Sequence, residues 1–164
     1  MYRILCVCTG NICRSPMAEG ILRDRLHKAG LSQSIQIDSA GIQGYHVGES
    51  PDIRAQNVAK HHGIDLKGIR SRRFNDEDFE LYDMIFAMDM GHYKSLQMRS
   101  PANANASVEL FLEYAGCEGC FEVPDPYYGT SDDFEDVFQL LAQNTPAVIA
   151  AIQEEMTQCL SSTA

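Results

Sequence analysis

Near the start of the chain, the run Cys8-Thr9-Gly10-Asn11-Ile12-Cys13-Arg14-Ser15-Pro16 puts a thiol, a Gly-Asn pair and a guanidinium into one short segment. An arginine placed six residues after a cysteine can curl over the intervening loop and take two oxygens of a phosphate at once, a forked geometry that an ammonium cannot match. If a helix starts just beyond the loop, the backbone N–H groups of Thr9 to Cys13 can point inward as an anion nest, with the helix dipole adding favourable potential. Ser15 as the capping residue and Pro16 in the first turn predict such a start. Gly10 is expected to allow the tight turn, and Asn11, which tolerates left-handed backbone, to bond back to the loop. Donors that hold a phosphate also stabilise a thiolate, so Cys8 is expected to be an anionic nucleophile. Ser15 Oγ would hydrogen-bond its sulfur and help it leave when a phosphoenzyme breaks down.

Thiolate attack on a phosphate ester also needs a proton for the departing oxygen. Asp125 lies between Pro124 and Pro126, in a loop stiffened on both sides, and is the expected donor. A bound dianion together with partial burial is expected to keep that proton in place. The adjacent Tyr127 and Tyr128 offer aromatic surface to flank an aryl phosphate. They are also candidate phosphorylation sites, but the wall reading is preferred.

The remaining sequence supplies the elements that must hold these groups. A chain of 164 residues, 45% hydrophobic, fits one globular domain over residues 1–164, with the last few residues expected as a frayed tail. No signal segment or membrane-length apolar run is read, so a cytoplasmic location is expected. A net charge of −10 argues against nucleic-acid binding while leaving room for a local anion pocket. Short apolar runs at residues 2–7, 35–37, 82–88 and 108–112 read as strands. Segments with helical spacing at 16–29, 51–62, 76–80, after 89 and at 132–159 lie between or after them. The expected fold is therefore α/β: a doubly wound, four-stranded parallel sheet flanked by helices, with the phosphate loop following strand 1. Ligands of such sheets sit at the carboxyl ends of the strands.

Taken together, VCTGNICRSP, DSAG, GESPDIRA, FAMD and VPDPYYG, in that order over nearly the whole chain, resemble the low-molecular-weight protein tyrosine phosphatases of bacterial type. The resemblance implies hydrolysis of phosphotyrosine through a phosphocysteine on Cys8. Arg14 would bind the phosphate and the transition state, and Asp125 would act as acid and then base. It further implies that Asn11 and Ser39 brace the loop and that Asp89 supports Arg14. Tyr45 and Tyr127 would wall the substrate ring, with Ile12 at the mouth. Cys13 would close a reversible disulfide with the nucleophile. The family needs no cofactor and no metal. Tyrosine-phosphorylated proteins, such as an autophosphorylating bacterial tyrosine kinase, are the implied partners, and a monomer or weak dimer is expected. Many bacterial members read GHRARQ where this chain has Gly68-Ile69-Arg70-Ser71-Arg72-Arg73, so the His that helps hold the loop through Asn11 is replaced by Ile69, and the usual Gln by Arg73.

Other conspicuous residues have plainer explanations. Cys6 is expected in the core, turned away from the face of Cys8. Cys117 and Cys120 form a Cys-x2-Cys without a second pair at metal-ligand spacing and read as loop cysteines. His61 and His62 are expected to finish a helix before Gly63. The acidic run Asp132, Asp133, Glu135, Asp136 suits a helix N-terminus. Two other functions compete. A thioredoxin-coupled arsenate reductase would need further cysteines in the middle of the chain, and residues 75–100 have none. A silent phosphate-binding module would show damage to Cys8, Arg14 or Asp125, and all three are present. A kinase-type P-loop lacks its GxxxxGK[ST] run.

Overall fold

Along the opening strand Leu5 and Val7 alternate with Ile4, Cys6 and Cys8, and the two sets join separate buried clusters on opposite faces of a sheet. That strand, β1 (Tyr2–Cys8), is therefore apolar on both sides, as a central parallel strand must be. In the computed structural model, which describes residues 1–162, β1 lies between β2 (Ile35–Gly41) and β3 (Met84–Ala87), and β4 (Ser107–Leu110) forms the far edge. All pairings are parallel, in the order β2-β1-β3-β4. Helices α1 (Arg14–Lys28), α2 (Ile53–His61), α5 (Phe111–Tyr114) and α6 (Ser131–Ser162) cover the face carrying Ile4 and Cys6. The short α3 (Asp78–Leu81) and α4 (Met90–Arg99) cover the other.

The chain leaves β1 toward β2 and later returns on the opposite side of β1 as β3. Strand order reverses at that point, so the carboxyl ends of β1 and β3 open a crevice rather than being closed by crossover connections. The cysteine loop follows β1 and Asp89 follows β3, so both are delivered to this crevice.

The expected four-stranded α/β fold is present, with shifted boundaries. β2 runs on to Gly41 because Asp38 and Ser39 stay in register opposite Leu5 and Cys6, their polar side chains taken up by hydrogen bonds. β3 is shorter than expected, since Tyr82 ends α3 and turns its hydroxyl to Asp38. The fourth run stops at Leu110, and Phe111 and Leu112 instead open α5. Cys6 is fully buried, but it shares the face of Cys8, as two residues separated by one along a strand must. α2 ends at His61, one residue short of the expected end, with His62 as its C-terminal cap before Gly63, and His62 stacks on Phe138. The acidic residues Asp132 and Asp133 occupy the first turn of α6. The end of the expected frayed tail, residues 163–164, falls outside the described residues. No helix among the described residues is long and apolar enough to cross a membrane.

Phe86 is fully buried in β3 and meets Phe111 and Tyr114 edge to face. Phe86→Ala should cost about 3–5 kcal/mol, read as a lower midpoint in urea unfolding with little change in slope.

Candidate active site

Between β1 and α1 the carbonyl oxygens of the loop are turned outward and tied down. Those of Cys8, Thr9 and Ile12 accept from the N–H groups of Ile42, Gln43 and Asp52 at 2.9, 2.9 and 2.8 Å. That of Gly10 accepts from Ser71 Oγ at 3.0 Å. The N–H groups of Gly10, Asn11, Ile12 and Cys13 donate to no acceptor among the described residues, which leaves them for an anion at the N-terminus of α1. The left-handed turn is made by Asn11, with φ 56°, and not by Gly10. What Gly10 provides is room, because a Cβ there would lie 3.0 Å from the His46 ring. α1 starts at Arg14, two residues earlier than expected, and Ser15 does not cap it. The Ser15 hydroxyl is engaged instead by Cys8 Sγ at 3.0 Å and by Asn11 Nδ2 at 2.9 Å.

Asn11 is the hub of the loop's bracing. Its amide also donates to Ser39 Oγ at 2.8 Å, and Ser39 in turn donates to the buried Glu19. Burial pushes the Glu19 carboxyl up to about 7, although the Ser39 hydroxyl and Arg23 pull the other way. Asn11 Oδ1 accepts from the backbone N–H of Arg72 at 2.9 Å. The segment that departs from the family pattern therefore still braces the loop, through a main-chain amide and Ser71, while Ile69 is buried in the core.

Arg14 is 3% exposed and reaches back over the loop. Its Nη1 donates to Asp89 Oδ2 at 2.7 Å and to the carbonyl of Val123 at 3.1 Å. Its Nη2 lies 3.2 Å from Asp125 Oδ2, and its Nε is buried without a partner among the described residues. Burial works to raise the Asp89 carboxyl, but the backbone N–H of His92 and the Arg14 guanidinium outweigh it and hold the group below its ordinary range. Cys13 is a buried thiol whose ionisation is pushed well up by that burial.

Cys8, Thr9, Gly10, Ile12, Cys13 and Arg14 form the floor of a 330 Å³ cavity, and Tyr45, His46, Asp125, Tyr127 and Tyr128 form its rim. The rim is open: Tyr128 is 94% exposed, and Tyr127 meets it edge to face at 5.0 Å between ring centres. The Asp125 side chain is 45% exposed, so the expected partial burial is slight, and its carboxylate is paired with Arg14. Cys117 and Cys120 are half-buried free cysteines outside this cavity, and among the described residues no group of three His, Cys, Asp or Glu is placed to hold a metal ion.

Three contributors escaped the sequence reading. Gly41 is one: a Cβ there would sit 2.8 Å from Thr9 O and 3.0 Å from Asn11 N, so β2 can lie against the loop only without a side chain at that position. The DSAG motif contained it without revealing why. Arg54 is another, pairing with Asp52 and donating to the carbonyls of Tyr127 and Gly129 at 3.0 and 3.1 Å, which straps the acid loop to α2. His92, at the start of α4, is the third and faces Thr9.

A cysteine loop at the end of a central parallel strand, closed by its own arginine and overhung by a carboxyl loop, defines the class of phosphatases that use a thiol nucleophile. The family profile described as low molecular weight phosphotyrosine protein phosphatase matches residues 3–158. A low molecular weight protein-tyrosine-phosphatase of Streptomyces coelicolor is 40% identical over 94% of this chain and 96% of its own length. The crystal structure of YfkJ from Bacillus subtilis superposes with a TM-score of 0.88 at 39% identity, covering 94% of this chain and 96% of that one. That of a protein tyrosine phosphatase from Entamoeba histolytica gives 0.89 at 33% identity, covering 95% and 99%. The chain belongs to the low molecular weight phosphotyrosine protein phosphatase family.

Gly41→Ala should force the loop away from β2, lowering Tm and weakening binding of inorganic phosphate together, whereas a distant Gly30→Ala should leave phosphate binding intact. Because the folded state holds the Glu19 proton more tightly than the unfolded chain, stability falls as pH rises between about 4.5 and about 7. Glu19→Gln, which keeps an acceptor for Ser39, should remove a slope on the order of 2 kcal/mol across that window, measured by urea unfolding at its two ends.

Proposed function

We propose that the chain hydrolyses phosphotyrosine in proteins through a phosphocysteine on Cys8. The observation that carries this reading is the convergence of Cys8, Arg14 and Asp125 on one aromatic-rimmed cavity, where the loop N–H groups and Arg14 Nε have no acceptor among the described residues. The phosphoryl oxygens would occupy those donors, displacing Asp125 from Arg14. The Cys8 thiolate attacks in line, so the sulfur–phosphorus bond forms as the bond to the phenolic oxygen breaks, and Asp125 gives that oxygen its proton. Asp125 then takes a proton from water, which attacks the phosphorus and releases inorganic phosphate. Ser15 donates toward the departing sulfur. Asn11 and Ser39 hold the loop in shape, Asp89 holds Arg14, and Ile12, Tyr45, Tyr127 and Tyr128 enclose the ring.

Cys13 is the proposed partner for a peroxide-oxidised Cys8. The sulfenic acid formed on Cys8 condenses with the Cys13 thiol, releasing water and leaving a disulfide that a cellular thiol reverses. The substrate class is a tyrosine-phosphorylated protein, with the phosphotyrosines of a bacterial tyrosine kinase as the first candidates to test.

Cys8→Ser should abolish turnover while keeping phosphate binding, with a chelator present throughout. Asp125→Ala should slow a phosphotyrosine peptide by at least about a hundredfold and an activated aryl phosphate far less, because a good leaving group hardly needs the proton. Equal losses on the two substrates would remove Asp125 from the acid role. Arsenate reduction with a thioredoxin system, in the absence of phosphate release, would overturn the phosphatase reading.

A further inference from the structure

The contacts that hold Arg14 do not end at Asp89. Arg14 Nη2 donates to Thr9 Oγ1 at 3.3 Å, and Thr9 Oγ1 lies 2.8 Å from His92 Nε2. His92 is buried in the first turn of α4, its backbone N–H on Asp89 Oδ1 at 2.9 Å and its ring Nδ1 3.1 Å from that same oxygen. Arg14, Thr9, His92 and Asp89 therefore form a closed circuit of polar contacts that returns to the guanidinium.

Electrostatics decides where the protons sit. Thr9 accepts from Arg14 and has its hydroxyl proton free to give to His92 Nε2, if that nitrogen is bare. Were Nε2 protonated instead, the bare lone pair of Nδ1 would face the Asp89 carboxylate at 3.1 Å in a buried site, a repulsive arrangement. With the proton on Nδ1 the pair attracts, although the approach is too oblique for a hydrogen bond and Nδ1 has no better partner. Burial brings the imidazole down to about 4; Asp89, Asp125 and Glu122 oppose that shift and Arg14 adds to it. The ring is neutral at physiological pH.

We propose that Thr9 and a neutral, Nδ1-protonated His92 form a hydroxyl–imidazole link that positions Arg14, keeping the guanidinium plane fixed with Nε turned to the phosphoryl group. With Nη1 held by Asp89 and Val123 and Nη2 held by Thr9, the planar fork has no rotation left, and Nε, which has no partner among the described residues, together with the Nη2 hydrogen now on Asp125, is available to the substrate. His92 is absent from the cavity lining, so it acts through Thr9 and Asp89 rather than on the substrate. The inference rests on Arg14 as the phosphate-binding group.

The test uses the full chain as wild type, Thr9→Val, Thr9→Ser, His92→Asn, His92→Gln and the double variant Thr9→Val/His92→Asn. A glutamine amide reaches the position of Nε2 and can accept from Thr9, whereas an asparagine amide stops near Nδ1. Orthovanadate affinity is measured by calorimetry beside steady-state hydrolysis of p-nitrophenyl phosphate. Thr9→Val and His92→Asn should each lower vanadate affinity and kcat about tenfold, with KM changing much less. Thr9→Ser and His92→Gln should recover most of that loss. The double variant should be no worse than either single, because both break the same link. In nitrogen-detected imidazole NMR of the wild type at neutral pH, His92 should carry its proton on Nδ1. Losses that multiply in the double variant, unchanged vanadate affinity in both singles, or a proton on Nε2 would overturn the proposal. If a variant fails to fold, the wild-type tautomer still decides it. Tight vanadate binding by a wild type that hydrolyses no phosphate ester would refute the phosphatase reading and leave the link to be judged by its own variants.

Discussion

A loop that presents its N–H groups to an anion must place its carbonyl groups elsewhere, and most of this site follows from that requirement. Four carbonyls from Cys8 to Ile12 are taken by partners on the segments after β2, before α2 and after Leu66, so the surroundings, not the loop itself, hold the cradle open. A buried carbonyl without a partner would cost on the order of a hydrogen bond's desolvation, about 1–3 kcal/mol, so these ties also fix one shape over its alternatives. Gly41 is glycine for the same reason: the loop can be held this closely only where β2 offers bare backbone. Asn11 completes the arrangement by taking the strained turn and spending its amide on Ser15, Ser39 and the Arg72 main chain.

The electrostatics of the site run against those of the protein. A chain of net charge −10 repels a dianion at long range, and the charged groups paired with Arg14 are the carboxylates of Asp89 and Asp125. Attraction is confined to the loop dipoles and one guanidinium, buried where the local dielectric is low and each donor counts for more. Recognition at this mouth therefore falls to short-range fit, with the open tyrosine rim supplying most of the contact area beyond the phosphoryl group.

The residues that line the candidate site were legible in the sequence because they are close together or carry strong local signals. Cys8 to Ser15 is one contiguous loop, and Asp125 is framed by two prolines. The sheet was legible from its apolar runs, though its edges were not: Asp38 and Ser39 look like the end of a strand until Tyr82 and Asn11 arrive from other elements to satisfy them. The rest was hidden for the same reason. Nothing near Gly41 in the chain reveals that a loop from β1 will lie against it, and nothing near Arg54 reveals that its partners are the carbonyls of Tyr127 and Gly129. Ser15 reads as a helix cap by type and is diverted by a sulfur seven residues earlier. Each of these roles is set through space, where local propensity carries no information.

The carbonyl of Val123 on Arg14 and its N–H on Met88 bind the Asp125 segment into a site whose cysteine loop lies among the first residues of the chain. During synthesis β1 leaves the ribosome first, yet it is the central strand, and its neighbour β3 and the arginine's anchors at Asp89 and Val123 emerge only after more than half of the chain. The guanidinium is fixed over Cys8 only when segments from the second half of the chain have docked on its first strand, so the site is a property of the whole sheet and not of the loop that carries the cysteine.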